Sequence, residues 1–538
     1  AAGQIAIDMN YIAQFKDNLI ICDEIHNVYN SLAKNNWGIA IQIILNEFGS
    51  RVRALFLSGT MIKNSQTESI DILNLAVGTR EREYKRSEFF DSNDQPLPGA
   101  IERIGQLLRG RVSFLVDINP KYFPKATFIG EPIIQSDGEP VKYIMFQRCE
   151  MTKEQMAAYD STAGDISTLH EYPYVFDMVF PRPTITKSQG GADENLDQNS
   201  ADLDQNLEQN SVKNLESRPS SSDREESAET PESEDDGRAI QLMDDVSKPG
   251  VPIFKTSGLR LIESAPVAWR NKYEIGVQSK EKTITGAILQ RANIGLWSGK
   301  YARMLDLLNG ILTGGLGKVF IFHKFIHMTG VFLIGNILAE NGFTNIGMQP
   351  GPGARCALCG RMSSDHKNQT ADAKIKSHEF TAARFVIVHG ELDKRTMSAH
   401  LDKFNSADNT DGSKLSVIIG SRVMKESYDL MATRHVMVIS RPDNIPSLTQ
   451  ITARAVRSGS HQLLAKDKQT VSIYIFTGAF PKSHSDLSYE EDRYCQKIRD
   501  YVIIQQIERS IRANAIDANI NRKLIEPALK DDALGHLR

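Results

Sequence analysis

Residues 18–27 read NLIICDEIHN: four apolar residues, Leu19 to Cys22, run directly into Asp23 and Glu24, with His26 two positions on. A short, unbroken apolar run is the mark of a strand covered on both faces, as in a parallel sheet. A strand of that kind ends at the sheet edge where α/β proteins hold ligands. Two adjacent carboxylates there suit a hydrated Mg²⁺ on Asp23 and a water activated by Glu24. A solvated strand-end turn is the competing reading of the same residues.

The flanking sequence repeats the strand–helix–strand alternation. WGIAIQIILNEF (37–48) has helical spacing of apolar residues, and VRALFLSGT (52–60) is a second strand stopping at Ser58-Gly59-Thr60. GRVSFLVDINPKYFP (110–124) reads as a connector with short strands. KYIMFQRCEMTKEQMAAYDS (142–161) gives a strand and a helix, with Thr152 as N-cap and Gln155 at the capping-box position. Further on, KVFIF, RFVIV, LSVIIG, HVMVIS and VSIYIF are strand-like, and RDYVIIQQIERSIRANAIDANINRKL (499–524) is a long helix. The expected fold is α/β: two parallel-sheet lobes, the first incomplete, an acidic insertion and a helical C-terminal tail.

With 538 residues, two or three domains are expected. Residues 1-130 read as the later part of a first lobe and 131-186 as a connector or the start of a second. An acidic insertion follows at 187-250, then the second lobe at 251-480 and the helical tail at 481-538. The insertion contains NLDQNSADLDQNLEQNSVKNLESRPSSSDREESAETPESEDD, with almost no aromatic or β-branched residues, and is expected to be disordered. Residues 187–238 carry roughly −10, so a chain of net charge −4 leaves roughly +6 on the rest. That mildly basic body is compatible with a nucleic-acid partner without requiring one. The 41% hydrophobic and 24% charged composition fits a soluble globular class. No apolar run reaches the roughly 18 residues of a membrane helix, and no secretory signal opens the chain.

The third chemical element is SLTQITARAVRSGSH (447–461). Spacings of four and three place Gln450, Arg454 and Arg457 on one expected helical face, able to clamp a transferring phosphoryl group; a solvated basic face is the alternative. A separate group, Cys356-x2-Cys359 with His366 and His378, has a knuckle suited to structural zinc, against reduced surface cysteines. His461, just after the arginines, reads as structural.

Taken in order, Asp-Glu-x-His, Ser-Gly-Thr and Gln-x3-Arg-x2-Arg resemble motifs two, three and six of superfamily 2 helicases. CDEIHN, LFLSGTMIKN, GRVSFLVDINPKYFP, EMTKEQMAAY, KFNSADNTDGSKLSVIIGSRVMKESYDL and QITARAVRSGSH extend the likeness over most of the chain outside the insertion. The chain resembles the helicase-like ATPases of nucleocytoplasmic large DNA viruses, most closely the poxvirus early transcription factor small subunit and nucleoside triphosphate phosphohydrolase I type. That resemblance implies ATP and Mg²⁺ as cofactors, with Asp23 on the metal and Glu24 activating water. His26, Ser58 and Thr60 would couple the nucleotide site to the second lobe. Glu426 and Asp429, in motif five from Gly420 to Asp429, would lie near the lobe interface. Arg454 and Arg457 would face the γ-phosphate, with Gln450 beside them. It implies DNA or RNA as partner, with viral RNA polymerase or another transcription-factor subunit, and a location in the host cytoplasm (viral factory) or virion.

The sequence departs from that pattern at Ser427 and at Ala453, where glycine is usual. No G-x-x-x-x-G-K-[ST] occurs in the chain, so it is expected to be an N-terminally truncated piece of a longer ATPase with little activity alone. Two readings from other classes stand beside this one. The first is a non-catalytic helicase-fold subunit serving as a transcription-complex scaffold; the second is a zinc-dependent binding module.

Overall fold

The continuous apolar runs of the later half become the centre of a sheet. In the computed structural model, strands β1–β14 occupy Leu19–Cys22, Arg53–Phe56, Lys125–Phe128, Phe146–Glu150, Val179–Pro181, Arg260–Ile262, Glu274–Gln278, Glu281–Thr285, Lys318–Phe322, Thr344–Asn345, Arg384–Val388, Val417–Gly420, Thr433–Val438 and Thr470–Ala479. The structure describes residues 8–26, 36–78, 82–114, 122–135, 137–142, 144–160, 174–181, 260–262, 267–269, 272–278, 281–315, 317–327, 329–366, 378–425 and 428–520. The acidic insertion, Glu426 and Ser427 lie outside them, as do residues 115–121 of the connector at 110–124.

The main sheet has eight strands in the order β10-β11-β12-β9-β13-β14-β3, with β4 also paired to β14. Every pairing in it is parallel. Helices cover both faces, so alternate residues of one strand enter different cores. Phe320 and Phe322 of β9 pack with Met397 and Phe404 of the helix Lys394–Asn405 and with Tyr494 and Ile498 of Tyr489–Ala513. Val319 and Ile321 turn the other way, onto Tyr301 and Leu305 of Gly299–Thr313 and Ile334 of Val331–Glu340. Burial on both sides is why β12, and β9 after Lys318, read as unbroken apolar runs.

Local signals are honoured. Thr152 and Gln155 make the reciprocal capping box: Gln155 N–H donates to Thr152 Oγ1 (3.1 Å) and Thr152 N–H to Gln155 Oε1 (3.2 Å). The C-terminal helix buries Tyr494, Ile498, Tyr501, Ile504, Ile507 and Ile511, a stripe at helical spacing that docks it on the sheet. It also receives the helix Ala100–Leu107 at Gly105, where any side chain would drive into Ser510, its Cβ falling 2.3 Å from Ser510 Oγ.

Two sequence-based expectations need correction. The strand ending at Cys22 was expected to be buried, yet Leu19 and Ile21 are 57% and 60% exposed. Among the described residues β1 pairs with β2 alone, and nothing covers that face of the pair. Second, β3 lies in the stretch 1-130 expected to belong to the first lobe, but pairs with β14 of the main sheet. Partnership across more than 300 residues has no local signature.

Candidate functional site

β1 and β2 run parallel in register, Leu19 beside Arg53 and Cys22 beside Phe56, so the residues just after them emerge at the same edge. Asp23 and Glu24 follow β1; Ser58, Gly59 and Thr60 follow β2. Glu24 has φ of 50°, a left-handed conformation uncommon for a residue with a Cβ, and its N–H donates to Asp23 Oδ1 (2.9 Å). That turn swings the Glu24 carboxylate onto His26, whose Nδ1 lies 3.1 Å from Glu24 Oε2 and 2.8 Å from Ser58 Oγ. His26 is 1% exposed, and the carboxylate it meets is half exposed. Ser58 Oγ donates to Thr60 O (2.6 Å) and accepts from Thr60 N–H (3.0 Å), which closes the turn. With that hydroxyl proton committed, Ser58 Oγ accepts a hydrogen bond from His26 Nδ1–H.

The second half of the site comes from the helix Ile445–Ala453, which begins after the carboxyl end of β13. Asn444 caps it, accepting from Ser447 N–H at 2.7 Å, and Pro446 sits in its first turn. Gln450 Nε2 donates to Thr60 Oγ1 at 3.2 Å, joining two segments 390 residues apart. Asn444 Nδ2 donates to Asn64 Oδ1 alongside it. This second bridge was not foreseen; the visible signal was an Asn before Ile-Pro, which marks a cap but says nothing of its second partner.

Gln450, Arg454 and Arg457 do not share a helical face as expected. The helix stops at Ala453, Arg454 is its C-cap, and Arg457 lies beyond. Past Ala453 the backbone tightens into i→i−3 bonds, Arg454 N–H to Ile451 O (3.4 Å) and Ala455 N–H to Thr452 O (3.1 Å), and the Arg454 carbonyl accepts from Leu430 N–H (2.9 Å). Arg454 donates from Nε to Gln450 O (3.2 Å) and approaches Tyr428 O (3.5 Å). Arg457 pairs with Asp429, both side chains about half exposed. Glu24, His26, Ser58, Thr60, Gln450 and Arg454 thus form one connected path. Asp23 stands at its exposed end, and Arg457 with Asp429 form a separate pair.

His461 is buried, 2.9 Å from Ser460 Oγ, and burial pushes its pKa down to about 4. The unfolded chain takes up that proton near the ordinary value of 6.5, whereas the fold resists it until about 4. The unfolded state therefore binds more protons between those values, and stability falls as pH drops from 6.5 towards 4. Replacing His461 with Asn is expected to flatten that part of the profile, by at most about 1.4 kcal/mol per pH unit. Urea unfolding at a series of pH values would reveal it; parallel wild-type and variant curves would refute it.

A distinct cluster lies between β10 and β11. The side-chain donor atoms of Cys356, Cys359, His366 and His378 all fall within 4.8 Å of one another, and the first three residues are buried. Cys356 Sγ is 3.4 Å from His378 Nε2, which is 3.2 Å from His366 Nε2. Burial alone would raise the Cys356 thiol, but N–H donors from Thr381, Leu358 and Cys359 and the His378 ring hold it below its ordinary value. Burial raises Cys359. Cys356 and Cys359 are buried rather than at the surface, where the alternative reading placed them.

Comparison with known proteins follows the same lines. The helicase conserved C-terminal domain family matches residues 361–459. An early transcription factor large subunit homolog of African swine fever virus is 29% identical, over 98% of this chain and 42% of its own length. A protein of Acanthamoeba polyphaga mimivirus, provisionally named an ATP-dependent RNA helicase, is 23% identical over 96% of this chain and 42% of its own. A provisionally named helicase of frog virus 3 is 22% identical over 95% and 41%. The chain spans about two-fifths of the length of these curated relatives. The crystal structure of the C-terminal part of the Fun30 ATPase domain aligns over 72% of this chain and 99% of its own at 12% identity, but a TM-score of 0.29 carries no weight.

Proposed function

We propose, for a chain that is a superfamily 2 helicase-like protein of large DNA viruses, that the intact protein is an ATP-driven motor on DNA or RNA acting in viral transcription. The observation that carries this reading is the polar path from Glu24 through His26, Ser58 and Thr60 to Gln450 and Arg454. A motor needs the state of its nucleotide site felt by a second element. This path joins an acidic strand end to an arginine-bearing helix end.

The residues have distinct tasks. Asp23, exposed at the end of β1, has the donor chemistry and the access that a hydrated Mg²⁺ requires. That ion, when bound with ATP, supplies neutralisation of the phosphate charge. Glu24 accepts the proton of the attacking water, and His26 fixes the direction of its carboxylate. Thr60 transmits to Gln450 whether Ser58 and His26 are in register with it. Arg454 supplies positive charge on the side of the second sheet. Arg457 can join it only after its pair with Asp429 opens. Phosphate contacts dominate nucleic-acid affinity in such a motor, so binding falls with salt. Viral RNA polymerase or another transcription-factor subunit is the proposed protein partner, in the host cytoplasm or virion.

The test is ATP hydrolysis by the full-length protein, with and without DNA or RNA, combined with a double-mutant cycle on the bridge. Gln450→Ala and Thr60→Val are each expected to cut nucleic-acid-stimulated turnover about tenfold, and the double variant to be little worse than either, a coupling of about 1 kcal/mol. Fully additive effects would remove the bridge from the mechanism. Full-length protein that hydrolyses no ATP with either nucleic acid would replace the motor reading with that of a non-catalytic subunit.

A further inference from the structure

The sheet carries a second built centre, remote from the path above and independent of its function. We infer that Cys356, Cys359, His366 and His378 bind one structural zinc ion, which pins the β10–β11 excursion to the amino edge of the main sheet.

Geometry comes first. A tetrahedral zinc with bonds of about 2.3 Å to sulfur and about 2.0–2.1 Å to nitrogen places neighbouring donors about 3.3–3.8 Å apart. The sulfur–nitrogen separation of 3.4 Å falls within that spacing, and the nitrogen–nitrogen separation of 3.2 Å lies just below it. No donor pair of the four exceeds 4.8 Å. Four donors converging on one point from residues spread over more than twenty positions is more than chance packing of polar side chains provides. Two imidazole nitrogens 3.2 Å apart also need something between them: a shared proton serves the pair alone, whereas a metal ion serves all four donors.

The backbone is shaped to the same purpose. Gly360 directly follows the second cysteine with φ of +68°, and its N–H donates to Cys356 O (2.9 Å), turning the chain so that both sulfurs face inward. Glycine is required there twice over, because a Cβ would also fall 2.9 Å from Thr313 Cγ2. Arg355 donates to Gly360 O (2.8 Å), and Ala357 N–H to Thr381 O (2.7 Å), so the knuckle and the strand returning from it are stitched together.

Placement fixes the role. The knuckle abuts Thr313 and Gly315, at the end of the helix leading into β9, and so lies at the amino edge of the parallel sheet. The candidate phosphoryl-transfer residues follow the carboxyl ends of their strands. With two thiolates and two imidazoles the coordination sphere is full and leaves no position for a reacting water. The ion is a staple. It substitutes for the apolar core that the glycine-rich, polar segment after β10 lacks.

Metal analysis of full-length protein purified without chelator is expected to find about one zinc per chain. Cys356→Ser/Cys359→Ser should remove it, whereas Cys22→Ser should leave it in place. Co²⁺ exchange into the wild-type protein provides a second readout that does not depend on the double variant folding. Intense visible absorption with thiolate charge transfer indicates a tetrahedral sulfur–nitrogen site. Zinc-free native protein, zinc retained by the double cysteine variant, or the weak spectrum of octahedral Co²⁺ would each overturn the assignment.

Discussion

Glu24→Gln is expected to abolish ATP turnover in the full-length protein while leaving nucleotide affinity within a few fold. Loss of a general base typically costs about 10²–10⁴ in rate. The substitution is isosteric and keeps the left-handed backbone at position 24, so the fold and its local strain are unchanged. It removes the negative charge that meets His26 Nδ1 and the acceptor for the water proton, and little else. Steady-state hydrolysis with saturating nucleic acid, beside equilibrium binding of a fluorescent nucleotide, separates the two quantities. Equal turnover in the variant would remove Glu24 from the chemistry, whatever the activity of the protein.

The second large effect is on stability. Lys300, Asp177, Glu490 and His323 are buried together where the helix Gly299–Thr313, the carboxyl end of β9 and the start of the C-terminal helix meet. Lys300 Nζ lies 2.8 Å from Glu490 Oε1 and 3.1 Å from Asp177 Oδ1, and donates to Ile439 O at 3.3 Å. His323 Nε2 approaches Asp177 Oδ2 at 3.2 Å, and Gly478 N–H donates to the far oxygen of Glu490 at 2.6 Å. Burial opposes ionisation of Asp177, yet Lys300 and His323 more than offset it, and its pKa falls below the ordinary carboxylate value. Lys300→Met therefore strands two neighbouring carboxylates without their cation. The expected loss is about 3–5 kcal/mol, larger than most single substitutions produce. Without Lys300 offsetting its burial, Asp177 holds its proton to higher pH in the fold than in the unfolded chain. The deficit is thus smallest in mild acid and grows as pH rises. Adding Glu490→Gln to Lys300→Met should recover part of it. Denaturant unfolding at pH 5 and pH 8 tests both points; a loss under about 1 kcal/mol at both would show that the network has other compensation.

Much of the fold was legible because its signals are local. β12, and β9 after Lys318, announce two covered faces by their unbroken apolar residues, and the capping box at Thr152 and Gln155 names a helix start to the residue. The four proposed zinc ligands were legible as residue types and spacings, although only the fold brings His378 back to the knuckle. What stayed hidden involves partners distant in sequence. Nothing near Lys300 marks Asp177 and Glu490 as its counterions, since they lie 123 and 190 residues away. Arg457 matched a helical repeat with Gln450 and Arg454, but the helix ends at Ala453, where the backbone tightens into i→i−3 bonds. The exposed face of β1 was hidden for a similar reason: hydrophobicity records what a strand can bury, not which layer reaches it.

The short strands at the margins of the main sheet bear on how copies of this protein meet one another. One margin is the two-residue β10. At the other, the ten-residue β14 is shielded end to end by β3 against Thr470–Ile473 and β4 against Ile475–Ala479. The long strand that would make the best template for another molecule's backbone is thereby occupied from within. The strands left outermost are too brief to recruit a partner in register. Within the main sheet, then, no long described strand is left open to edge-to-edge pairing with a second copy.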